Sequence, residues 1–261
     1  MGRETIGHSF PHLVSRCAPC QCEGGSSIPC RERYSVNQGT SFPNSPYRDL
    51  LTGLAADDDP RVAVALPALL QKRVLDQLLT RIYGAAMLEE HKPVLVSQWS
   101  KYYFMHWLPA MLVSQLAHGW DLPLLLRETG LILDERGVPL AVRFFEAGEE
   151  GDAQASLEPW IASNLRPFID ALSQYGEVSP AVLWGNAGDY LESSVRRLQQ
   201  MGLRNLAPAE GLMSQRKLAD GRVNPLYQPV RYLGDGRRER RHCCLARQVT
   251  DVPPCEHCPL G

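Results

Sequence analysis

The sequence predicts a mainly helical α+β protein that closes in a small cysteine-rich module. Three observations carry this. Apolar residues recur at helical spacing through most of residues 46–212, two short apolar runs flank turn sequences as hairpins, and four cysteines crowd into the last nineteen positions.

Taken in order, residues 1–45 are rich in Gly, Ser, Pro and Asn, include GGSS and QGTSFPNSP, lack apolar periodicity, and read as a disordered extension. Leu66, Leu70, Val74, Leu78 and Ile82 then recur every four residues, with Leu69 and Leu75 alongside, as one amphipathic helix ending near Gly84. Pro93 opens a second helix from about Val94 through Met111. Ser156 caps a third, whose stripe is Trp160, Ile161, Leu165, Phe168, Ile169 and Leu172, with Gly176 as its stop and Pro167 bending it. Ser179-Pro180 starts a fourth, whose turns Gly185 and Gly188 should weaken. Between the second and third helices, GLILDERGVPLAVRFF reads as a hairpin near 131–145 that turns at Glu135–Gly137. A second hairpin runs from Pro229 to His242 around Gly234-Asp235-Gly236 and delivers Cys243 and Cys244 into the C-terminal module, residues 213–261.

Composition narrows the function. A hydrophobic content of 44% supports a core that needs no disulfides, and a net charge of -2 argues against bulk nucleic acid as a partner. The opening MGRETIGHSFPHLVSRC lacks the basic and apolar regions of a secretory signal, so a cytoplasmic location is expected. The most apolar stretch, Tyr102 to Ala117, is shorter than the roughly 20 residues that span a bilayer and reads as a buried helix. No Walker sequence and no GxGxxG after a strand is present.

The cysteines carry the chemistry. Cys255-x-x-Cys258 lets two thiolates from one turn reach the same metal ion. Cys243 and Cys244 are adjacent, and in an extended strand neighbouring side chains point to opposite faces. They therefore converge only if the backbone bends, or else serve different metal ions. A two-iron cluster, structural zinc and disulfide or redox thiols all remain open on spacing alone. Cys17, Cys20, Cys22 and Cys30 offer four more ligands in fourteen residues; either they form a second metal site or they belong to an upstream extension, and the loop-forming composition favours the extension.

Cys243-Cys244-x10-Cys255-x2-Cys258 resembles the signature of the FhuF-type ferric siderophore reductases. Arg240-Arg241, Asp251-Val252 and Asn224-Pro225-Leu226 are similar to that family's C-terminal region. More loosely, KPVLVSQWSKYY resembles its Lys-Pro and Trp-Tyr helix, and VLWGNAGDYL its Leu-Ile-Trp-x-Asn segment. The resemblance covers residues 50 to 261, strongly over the last forty. It implies a [2Fe-2S] cluster on Cys243, Cys244, Cys255 and Cys258 and one-electron reduction of a ferric siderophore of the hydroxamate class. It also implies a separate donor, a ferredoxin or a reductase, and leaves room for peripheral contact with an uptake transporter.

Around the cysteines, Gln215 to Arg247 holds nine Lys or Arg against three Asp or Glu, a local net of +6 that suits an acidic donor or anionic chelate. Arg238, Arg240 and Arg241 are the docking candidates, unless the hairpin is simply a solvated basic face. Trp99, Lys101, Trp184 and Asn186, with Gln98, are the candidates for a substrate cleft. Trp99, Tyr102, Tyr103 and Trp107 share helical spacing, which reads first as core packing and otherwise as a stacking wall. His242 and His257 neighbour cysteines, but four thiols already complete a ligand set. One rival is a zinc-stapled binding module that transfers no electrons. The other is the helical iron-uptake domain related to siderophore-assembling ligases, against which the lack of a nucleotide-binding loop counts.

Overall fold

The structure, a computed structural model, describes residues 42, 44–56, 58–249, 252, 255 and 257–260. Cys17, Cys20, Cys22 and Cys30, and with them the question of a second metal site, lie outside the described residues. Phe42 and Ser45, at the end of the expected extension, both contact His118. The Phe42 ring stacks on His118 at 4.4 Å, and Ser45 is buried with its Oγ 2.9 Å from His118 Nε2.

The leucine-rich stretch from Leu66 forms two helices where the sequence predicts one. Strand β1 (Ala63–Ala65) runs into α1 (Leu66–Leu69), the backbone opens at Gln71 (ψ 136°), and α2 (Lys72–Tyr83) follows, stopped by Gly84 at φ 92°. The break is a matter of burial. Leu66 and Leu69 are buried on the first piece and Leu75, Leu78 and Leu79 on the second, two stripes that a single straight helix would not align.

Helix α3 (Ala85–Leu112) begins earlier than Pro93 suggests. It bends at His91 (φ -127°, ψ 25°), two residues before the proline whose ring and missing N–H disrupt the preceding turn. Beyond the bend the helix is the spine of the core. Trp99, Tyr103, Phe104 and Trp107 are all fully buried, so the core reading of this aromatic group holds for its three inward members besides Phe104, while Tyr102 stays half-buried. A π-helical segment (Val113–Ala117) extends it.

The third helix is likewise composite. Ser156 Oγ accepts from the Glu158 N–H at 3.2 Å, ahead of α4 (Glu158–Trp160), a π segment (Ile161–Leu165) and α5 (Arg166–Gly176). The Arg166 N–H donates to the Ile161 carbonyl five residues back, a wide turn that accommodates Pro167 without a sharp bend. The same widening brings Asn164 inward to accept from the Tyr103 hydroxyl at 2.6 Å. Phe168 packs on Tyr103 at 4.1 Å, and Trp160 meets Trp107 edge-on at 5.6 Å.

Helix α6 (Pro180–Gln200) departs most from expectation. It is continuous for 21 residues through Gly185 and Gly188, with Ser179 Oγ accepting from the Ala181 N–H. Both glycines are sites of close approach. A Cβ on Gly185 would lie 2.8 Å from His242 Cβ, and one on Gly188 would lie 2.3 Å from Pro229 Cβ. Their cost in helix propensity is offset by letting the C-terminal hairpin lie against the helix backbone. Helix α7 (Ala207–Ser214) then leads toward that hairpin.

The sheets are small. β3 (Thr129–Leu133) and β4 (Pro139–Phe144) form the expected first hairpin, turned by Asp134, whose Oδ1 accepts from the Arg136 and Val138 N–H groups, and by Gly137 at φ 98°. β1 adds to β3, giving the antiparallel order β1-β3-β4, and the two-residue strands β2 (Trp120–Asp121) and β5 (Glu149–Glu150) pair separately. The second expected hairpin is β6 (Val230–Tyr232) with β7 (Arg238–Arg240), in the register Val230 to Arg240. Among the described residues no helix is long and apolar enough to cross a membrane.

Gly188→Ala is expected to lower unfolding free energy by about 1–3 kcal/mol, because Pro229 is ring-bound and cannot yield. Gly211→Ala, with only a Gln215 amide 3.8 Å from the added carbon, is the control and should be neutral or stabilising by up to about 1 kcal/mol. Urea denaturation of both variants checks the contrast.

Candidate metal centre and adjoining cleft

The end of the chain is positioned by α3 and α6 through one buried polar network. Asn186 on α6 is fully buried, and its Nδ2 donates to Ser97 O (2.9 Å), Ser97 Oγ (3.1 Å) and Ser100 Oγ (3.1 Å) of α3. Its Oδ1 accepts from Arg240, whose guanidinium also stands 3.4 Å from Asp189. Ser97 Oγ donates to the Cys244 carbonyl at 2.9 Å and Gln98 Nε2 to the same oxygen at 2.7 Å, while Lys101 Nζ donates to Gln98 Oε1 at 2.7 Å. The Arg240 N–H donates to the His257 carbonyl at 2.9 Å, tying the segment that carries Cys258 to strand β7.

Cys243, Cys244, Cys255 and Cys258 are all free thiols and form a chain of pairwise sulfur contacts, Cys244 to Cys255, Cys255 to Cys258 and Cys258 to Cys243. Cys244 and Cys255 share a hydrogen bond that pulls the Cys244 thiol far down and pushes Cys255 up. Lys101, the Ala246 N–H and Arg240 also favour the Cys244 thiolate, against the cost of its burial. Burial raises the Cys243 thiol, which bonds to Cys258 and accepts from the Leu245 N–H at 3.3 Å. Cys258 is lowered despite its burial, chiefly by the Leu260 N–H and Arg247. The adjacent cysteines thus take different partners, and Leu245, in the left-handed region at φ 66°, turns the chain immediately after them. Among the described residues no three His, Cys, Asp or Glu side chains are gathered closely enough to hold a metal ion as they stand.

The donor set nonetheless fits an iron-sulfur centre in its chemistry. Four thiols lie near three cations, Lys101, Arg240 and Arg247, that favour their ionised form, and Arg240 Nε is buried without a hydrogen-bond partner, leaving a donor on a guanidinium that acts electrostatically on both Cys244 and Cys255. His242 packs against Gly185, and burial and then the charges of Arg241 and Arg240 lower its pKa.

The structure distributes the other candidates unevenly. Arg238 and Arg240 turn inward. Arg238 binds Asp189 and Glu192 at 2.6 Å and is only 4% exposed at its side chain, and Arg240 is 2% exposed. Trp99 and Asn186 are fully buried and Trp184 nearly so, with Arg166 over its ring at 5.6 Å. Lys101 and Arg241 reach solvent. The basic hairpin is also less positive than its sequence, since Asp220, Asp235 and Glu239 pair with Arg222, Arg237 and Arg231, and Asp189 and Glu192 add two carboxylates from α6. Sequence reasoning missed Ser97, Ser100, Asp189 and Glu192. The signal was there as small polar residues three apart inside an apolar helix, and as two acids three apart on α6.

Beside Cys244 lies a cleft of about 500 Å³, with Tyr83 and Met87 on one side, Gln98, Lys101 and Tyr102 along α3, and Val252 of the cysteine segment. Met105 and Tyr190 also line it, and both line a second cleft of about 580 Å³ along α3 and α6 that includes Arg196 and Arg197.

Residues 97–240 match the family described as "Ferric iron reductase FhuF-like transporter". That span is more than half of the chain, and the chain belongs to this family, an enzyme of the ferric-chelate reductase class. The match ends three residues before Cys243. A ferric siderophore reductase of Escherichia coli (strain K12) is 28% identical over 183 residues, covering 67% of this chain and 68% of that protein. Among solved structures, aerobactin synthetase IucA from a hypervirulent pathotype of Klebsiella pneumoniae, both ATP-bound and as a second structure, matches at 15% identity with a TM-score of 0.49. The match covers 66% of this chain and 38% of that one.

Asn186→Ala should cost about 2–4 kcal/mol, since it strands Arg240 and two serines in the core, whereas Ser100→Ala should cost about 1 kcal/mol. Urea denaturation checks the magnitudes. Faster proteolysis after Arg240 and Arg241 in Asn186→Ala checks that the loss loosens the tail.

Proposed function

We propose that this chain, acting in the cytoplasm, reduces the iron of a ferric siderophore by one electron at a [2Fe-2S] centre held by Cys243, Cys244, Cys255 and Cys258. The observation that carries the reading is the grouping of these four free thiols, with Lys101 and Arg240 favouring the Cys244 thiolate, in a member of a ferric iron reductase family. When bound, such a cluster takes up and gives out one electron at a time.

The chain's own residues have three tasks. Arg240, held by Asn186 and Asp189, supplies a fixed positive charge beside the sulfurs and an unengaged N–H to offer them. Ser97 and Gln98 grip the Cys244 carbonyl and hold that ligand against α3. Arg241, exposed and 5.8 Å from the Tyr227 ring, belongs to the surface offered to an acidic electron donor, a ferredoxin or a reductase. The donor loses one electron, Fe(III) becomes Fe(II), and the hard oxygen ligands of a siderophore, hydroxamates in this reading, hold the lower charge far less tightly.

The full chain purified without oxygen should contain iron and labile sulfide, absorb in the visible and give an EPR signal on reduction. Cys255→Ser should lose the cluster and at least tenfold of its ferric-chelate reduction. A colourless zinc protein without sulfide, or a serine variant of normal activity, would sink the proposal.

Arg241→Glu should raise the donor KM several-fold at low salt with kcat unchanged, and the difference should vanish near 1 M salt, where charges are screened within about 3 Å. Steady-state kinetics across a salt series checks this.

A further inference from the structure

We infer that the ferric chelate is bound in the tyrosine-lined trough between α3 and α6, formed by the two clefts that meet at Met105 and Tyr190, with Cys244 behind its wall. This rests on the reductase reading and adds the place of binding. Gln98 and Lys101 line the trough and are joined by a hydrogen bond, and Gln98 bonds directly to the Cys244 carbonyl. A chelate in contact with these side chains is therefore one residue's thickness from a cysteine of the quartet.

The chemistry of the lining selects the occupant. Tyr83, Tyr102 and Tyr190 contribute three phenols that donate no hydrogen bond among the described residues. Burial raises the Tyr83 and Tyr190 hydroxyls, that of Tyr190 to about 12, so both lining residues keep their phenol proton. Such donors suit the ligand oxygens of an intact chelate. Met87, Met105 and Ile82 supply adaptable apolar contact for its organic shell. Lys101, Arg196 and Arg197 stand against Asp49, which favours a neutral or anionic chelate over a cationic one. Each of the two clefts, about 500 and 580 Å³, lies in the size range of small-molecule sites.

The gallium(III) complex of a neutral trihydroxamate, which keeps the shape of the ferric complex and takes no electron, separates binding from reduction. Calorimetric titration of the cluster-loaded full chain should give saturable binding, weaker for a positively charged trihydroxamate complex. Met105→Trp, which fills the junction from a position 38% exposed, should weaken binding tenfold or more, and Tyr190→Phe several-fold, with the visible spectrum and thermal midpoint unchanged. Wild-type affinity in both variants, or no binding by the wild type, would overturn the site. Gallium binding that both variants weaken, in a chain that reduces no ferric chelate, would keep the trough and sink the reductase reading; undiminished binding in the variants with normal reduction would do the reverse.

Discussion

The C-terminal segment depends on one buried amide. Asn186 joins Ser97 and Ser100 of α3 to Arg240 of β7, and Arg240 in turn holds the backbone of the segment carrying Cys258. A polar group in an apolar interface is costly unless every donor and acceptor is matched, and here the amide matches a serine pair on one side and a guanidinium on the other. That requirement admits one placement of the hairpin on the helices. Cys244 follows four residues later, within reach of Ser97 and Gln98.

Close approach makes the network possible. Gly185 and Gly188 remove side chains from the α6 face that His242 and Pro229 occupy, so the hairpin lies against helix backbone and Arg238 and Arg240 reach Asp189 and Glu192. Elsewhere α3 packs by aromatic contact, through Tyr103 on Phe168 and Trp107 on Trp160, giving the tail a rigid floor. The helix carries both functions on different faces: an aromatic face toward α5, and a polar edge of Ser97, Gln98 and Lys101 toward the cysteines.

Electrostatics follow the same division. Arg240, which acts on Cys244 and Cys255, and Arg238 on the same strand are buried and matched to α6 carboxylates, so their charge acts locally, on the sulfurs and the fold. Arg241, one residue beyond, faces solvent. Alternation along β7 and its continuation therefore separates a charge that stabilises thiolates from one available to a partner, although the letters Arg-Arg look alike.

Much of the architecture was legible in the sequence because its signals are local. Apolar spacing, Ser179-Pro180 and the Gly234-Asp235-Gly236 turn depend on neighbours a few residues away, and the hairpins and most helices lie where they indicate. The four C-terminal cysteines were equally visible from spacing, and in the fold Cys244 meets Cys255. What tertiary structure alone decided concerns residues whose partners lie far along the chain. It split the first leucine stripe, kept α6 unbroken through two glycines, and buried the docking candidates Arg238 and Arg240 and the cleft candidates Trp184 and Asn186. Periodicity reports which residues share a face; which face is covered, and by what, is settled only when segments distant in sequence compete for the same buried space.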